Sequence, residues 1–170
     1  DAVMIYDFAE QEESHIDAFL DKGTPLMKFL KVFIQETEHQ GFVISVHYPA
    51  KNTIAPLFVI SVEDPKEREE LKKLLENSCS GVINKRYSGV IISKTVRPGV
   101  SYAFHHQVLI ASPSHVLVES SIRHLENKTS IQDNPLYARG AKGVSGDMIL
   151  HVNNQNIGKF FSGAVNRDYL

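Results

Sequence analysis

The chain is short of most features that would announce a function. Its 170 residues include one cysteine, Cys79, and no tryptophan. A single thiol excludes an internal disulfide and any cysteine-rich zinc cluster. No window approaches the roughly 18 consecutive apolar residues that span a bilayer, and the greasiest stretch, from Leu26 to Ile34, is broken by Lys28 and Lys31. A basic excess is missing too: 18 Lys and Arg face 20 Asp and Glu, for a formal charge of −2. Nucleic-acid binders need a cationic surplus to displace counterions from phosphates, so that class is set aside. Asp1 is followed by no charged-then-apolar leader, which suggests a processed or trimmed chain.

Catalytic motifs are equally sparse. Ser145, in Gly143-Val-Ser-Gly146, lacks the Gly-x-Ser-x-Gly elbow of a nucleophile. Gly140, Gly143 and Gly146 surround Lys142 but lead into a strand, whereas phosphate loops lead from a strand into a helix N-terminus. They read as a connector. Cys79 has no neighbouring cation to lower its pKa and reads as an inert thiol at a helix end. Among eight histidines there is no His-Glu-x-x-His segment. His105 and His106 are adjacent, so in an extended strand their rings diverge and need a turn to chelate together. His115 and Glu119 share a helix side but supply only two of the ligands zinc requires. A metal-dependent hydrolase would have to gather dispersed histidines, with His47, His105 and His151 as the first suspects.

What the chain does have is architecture. With 42% apolar and 22% charged residues it has the composition of one ordinary folded domain. Thr24-Pro25, Asp64-Pro65, Ser112-Pro113 and Asn134-Pro135 each place a capping side chain before a proline. That pair predicts a helix start, because the acceptor satisfies an orphan N–H and proline has none. A further helix is predicted near Ser14, carrying Ile16, Phe19 and Leu20. Strands are predicted over 2–8, 42–47, 57–62, 82–86, 90–96, 100–105, 108–111 and 147–152, with residues 49–56 as a hairpin loop and Ser88-Gly89 as a tight turn. Turns this short make the neighbours antiparallel. The predicted fold is α+β, an antiparallel meander with helices packed mainly on one face.

Alternation assigns Phe42, Ile44, Val46, Phe58, Ile60, Val90, Ile92, Tyr102 and Phe104 to greasy strand faces. The opposite faces carry hydroxyls and imidazoles. Such a face is ordinarily solvated; if it binds anything, Ser45, His47, Ser93, Thr95, Ser101 and His105 are the candidates. An echo between residues 1–8 with Ile16-Asp-Ala-Phe-Leu and residues 146–153 with Ile157-Gly-Lys-Phe-Phe suggests a tandem repeat. It divides the chain into an α+β unit over 1–145 and, over 146–170, either the start of a second unit or a strand and helix completing the same sheet.

Phe58-Val-Ile-Ser-Val, the Leu-Lys-Lys-Leu-Leu helix, Tyr87-Ser-Gly-Val-Ile-Ile, Val108-Leu-Ile-Ala-Ser and Ser130-Ile-Gln-Asp-Asn-Pro-Leu-Tyr137 form a succession. It resembles a family of bacterial extracytoplasmic proteins of unknown function, often lipid-anchored, built from repeated α+β units. The resemblance implies an extracytoplasmic location and a lipid anchor upstream, and it carries no catalytic residue. The expectation is a non-catalytic binding or scaffolding module of the cell envelope, with a protein or envelope component as partner and no cofactor. Its sheet edges could pair with a strand of that partner.

Overall fold

The structure, a computed structural model, describes residues 2–6, 42–50, 53–97, 99–144 and 148–152. Eight strands form one sheet: β1 (Ala2–Tyr6), β2 (Phe42–Ala50), β3 (Thr53–Ser61), β4 (Ser80–Tyr87), β5 (Val90–Arg97), β6 (Ser101–His105), β7 (Val108–Ser112) and β8 (Met148–Val152). Their order in space is β4-β5-β6-β7-β3-β2-β1-β8, and each neighbouring pair is antiparallel. Helices α1 (Pro65–Ser78), α2 (His115–Glu126) and α3 (Pro135–Ala141) complete the described elements. The α+β class and the antiparallel sheet are as the sequence predicts. Strand β8 joins this sheet beside β1. The helices predicted near Ser14 and after Pro25, and the segment from Ile157 onward, lie outside the described residues.

Turn chemistry sets the pairing. Ser88 and Gly89 both have positive φ, 48° and 80°, as a type I′ turn demands, and its twist matches that of the strands it joins. The β2–β3 hairpin is longer than predicted: Pro49 and Pro56 lie inside strands, not in a loop. Strand β3 pairs with β7 only over Phe58–Ser61. At Pro56 it therefore has β2 alone as a neighbour, a place where a missing N–H is tolerated. Pro49 falls where the register shifts between His47 and Ala50.

Two of the predicted helix starts form as expected and one is displaced. Asp64 Oδ1 accepts from Lys66 N at 2.8 Å, with Pro65 opening α1. Pro135 opens α3, just after a 3-10 turn over Ile131–Asp133. At Ser112-Pro113 the helix begins later, at His115. The Ser112 hydroxyl is engaged elsewhere: it donates to Pro56 O at 2.7 Å and accepts from Ser114 N at 3.0 Å. The side chain bridges two strands instead of capping the helix.

The helices do not share one face, which corrects the expected layering. Leu71 and Leu75 of α1 pack with Phe58, Ile60, Tyr102, Leu109 and Ala111. Val118 and Ile122 of α2 pack with Ile92, Ala103 and Ile110. Successive residues of β6 and β7 thus alternate between two cores, one on each side of the sheet. The physical reason lies in register. Ser93 stands opposite Tyr102, so the greasy side of β5, Val90 and Ile92, faces α2, while that of β6 faces α1. Each helix buries its stripe on its own side, and Val118 and Ile122 are fully buried, about 1.5–3 kcal/mol apiece relative to exposure.

Candidate functional site

The six predicted binding-face residues do not form one open surface. Ser45, Thr95 and Ser101 are buried, and His47, Ser93 and His105 are half-buried. Register puts Ser93 and Thr95 on the α1 side, and Ser45, His47, Ser101 and His105 on the α2 side. The hydroxyls of Thr95 and Ser45 serve the fold, and that of Ser101 is buried with no hydrogen-bond partner among the described residues. Thr95 Oγ1 accepts from Val100 N at 2.9 Å, closing the turn at Gly99. Ser45 Oγ lies 2.6 Å from His47 Nε2. Burial holds the His47 imidazole below its usual pKa.

The dispersed histidines are also kept apart. Three strand steps separate β6 from β2, and two more lead to β8. At about 4.8 Å per step, the separation of His105 and His47 across the sheet alone is about 14 Å, and the register displaces them further along the strands, since His105 is in line with Val108 and Ser61 whereas His47 pairs with Ala55. One ion cannot be shared by His47, His105 and His151. On α2, Glu119 is paired not with His115 but with Lys85 of β4, at 3.0 Å.

Two other places concentrate chemistry. The first is the ribbon of β4 and β5 at one edge of the sheet. Residues 80–97 contain Lys85, Arg86, Lys94 and Arg97 and no acid. Three large apolar side chains, Ile83, Ile91 and Val96, are more than half exposed on it. Gly81, at φ 66°, breaks the extended run, and an added Cβ there would meet Val96 Cγ2 at 3.0 Å. The straight edge therefore runs from Val82 to Tyr87. On the α1 side, a groove of about 780 Å³ separates this ribbon from α1. On its floor Tyr102 is hydrogen-bonded to Ser93, and burial pushes its hydroxyl pKa up. Ser93 Oγ donates onward to Asn84 Oδ1 at 2.8 Å.

The second place is the β6–β7 turn. His106 and Gln107 link the paired residues His105 and Val108, and His106 adopts φ 50°, where glycine is the usual choice. The turn is held from outside. Arg68 of α1 donates to His106 O at 3.1 Å and Phe104 O at 3.3 Å, with its guanidinium 5.5 Å from the Phe104 ring centre. Val62 N donates to Gln107 O at 2.7 Å. With the chain reversing here, the two imidazoles no longer diverge: their centroids lie 4.0 Å apart. Glu126, in the last turn of α2, reaches them from the other side, its Oε1 being 2.7 Å from His105 Nε2. One donor atom from each of His105, His106 and Glu126 falls within 4.8 Å of the other two.

Sequence reasoning named the condition for this cluster, a turn after His105, and omitted Glu126. The available signal was the short spacing between two strand runs around His106-Gln107. Sequence reasoning missed the ribbon, for which the available signal was the run from 80 to 97 without an acid. Within Ser130–Tyr137, Ser130 Oγ accepts from Gln132 N, and Asp133 Oδ2 accepts from Ser130 N, in a reciprocal cap. No family model, no curated protein and no solved structure matches the chain.

Proposed function

We propose that the chain is a non-catalytic binding module that captures an extended, acidic segment of a partner protein along β4. One observation carries this reading: the ribbon over residues 80–97 joins four cations, no acid and three exposed apolar side chains at an edge of the sheet among the described residues. An edge strand offers backbone donors and acceptors to an added strand, and side chains on alternate positions select its sequence. Arg86 and Arg97 on one face of the ribbon and Lys94 on the other favour carboxylates in the incoming segment, while Lys85 is engaged with Glu119. The same cations disfavour the competing occupant, a second copy of β4, by placing like charges together. The extracytoplasmic placement and lipid anchor rest on the resemblance described above and belong to this proposal.

The test is selection from a random dodecapeptide display library with the full chain as bait. The expected outcome is enrichment of sequences alternating apolar residues with Asp or Glu. Capture of those peptides should fall by at least about tenfold in the Arg86→Glu/Arg97→Glu double variant, whose two exposed positions leave the cores intact. Enrichment without acidic bias, or capture unchanged in the variant, refutes the reading.

A further inference from the structure

We propose that His105, His106 and Glu126 form a binding site for a divalent transition-metal ion, with zinc as the best fit, that ties the end of α2 to the β6–β7 turn. This site is distinct from the ribbon and stands independently of any partner bound there.

The donor set comes first. Two imidazoles and one carboxylate are borderline ligands that suit zinc and its transition-metal neighbours; magnesium and calcium prefer oxygen alone. Three protein ligands also leave a tetrahedral ion one position for water or another small ligand. Geometry follows. Zinc bonds of about 2.0–2.2 Å set tetrahedral ligands roughly 3.4 Å apart, and the three donors here already lie within 4.8 Å of one another. Closing that difference requires only side-chain rotation, because His106 and Glu126 are exposed while His105 is anchored in the sheet.

The present contacts are those of a site shaped for a cation. His105 Nε2 is 2.7 Å from Glu126 Oε1, and this buried nitrogen makes no aligned hydrogen bond. The two imidazoles lie tilted at 45° to each other with their centroids 4.0 Å apart. Each ring can offer a metal ion one nitrogen as a neutral ligand.

The backbone holds the histidines ready. A non-glycine residue at positive φ is held there by its surroundings, and His106 has the two Arg68 hydrogen bonds and the Val62–Gln107 bond to do so. The backbone that carries the two rings is therefore set before any ion arrives. Arg68 directs its guanidinium at backbone carbonyls, and the ligand atoms supplied at the site include one full negative charge, from Glu126.

The experiment is a zinc titration of the tag-free 170-residue chain against a chromophoric chelator. The expected result is one zinc per chain competed out by neither magnesium nor calcium. His106→Ala and Glu126→Gln should each weaken binding by at least about tenfold, the scale on which even supporting residues around a metal act. His115→Ala, at the far end of α2, should leave binding unchanged. Both ligand variants alter exposed side chains, and their melting temperatures without zinc should match the parent. Zinc should raise the melting temperature of the parent and of His115→Ala, but not of His106→Ala. Absence of stoichiometric zinc, or a zinc affinity unchanged by either ligand substitution, overturns the proposal.

Discussion

At His47, burial works against charge. The half-buried imidazole has its pKa held below the unfolded value near 6.5 because the surrounding protein solvates the cation poorly. The folded state therefore binds fewer protons at this position than the unfolded chain does. Its contribution to stability is full above pH 6.5 and is lost as the pH falls through the depressed folded value. The melting temperature should fall between pH 7.5 and 5.5, and His47→Gln, which keeps a polar partner for Ser45, should flatten that fall. A profile unchanged by the substitution would show that His47 titrates alike in both states. Other residues show why single positions mislead. Ser112 has the sequence of a cap and the role of a strand bridge: its hydroxyl donates to an acceptor 56 residues earlier in the chain, and the helix starts after Ser114. Nothing local could reveal that.

At the scale of elements, the strands and the Asp64 and Pro135 helix starts were legible because turns and caps are local physics. Ser88-Gly89 needs two residues that tolerate positive φ, and Asp64 needs only a free N–H two residues on. Which face each strand presents was not legible. Period-two alternation gives the two sides of a strand, but only register against its neighbour says which side is shared. Ser93 opposite Tyr102 reverses β5 relative to β6, and this moves Thr95 into one core and Ser101 against the other. The continuous apolar run of β7, Val108-Leu-Ile-Ala, was the available hint, since a strand buried on both faces need not alternate. Two separate cores have a measurable signature. Leu75→Ala beneath α1 should cost about 2–5 kcal/mol and Ile122→Val beneath α2 about 0.5–1.5 kcal/mol. With the sheet between them, the double variant should equal the sum of the two within about 0.5 kcal/mol in equilibrium denaturation. A larger discrepancy would mean the helices share contacts.

Across the whole molecule, charge is distributed unevenly. The β4–β5 ribbon holds four of the chain's 18 Lys and Arg and none of its 20 Asp and Glu, so a nearly neutral protein has one strongly cationic margin. The histidine cluster lies at the turn joining the two strands covered by helices on both sides. That location has a consequence for motion. Strands β6 and β7 lie beneath α1 on one side and α2 on the other, whereas β4 is a border strand. Deuterium from solvent should reach the outward amides of β4 almost at once. The amides of Ala103 and Ile110 should wait for complete unfolding, at the slowest rate the molecule permits. Early labelling at those two positions would mean that one helix lifts away while the other stays docked.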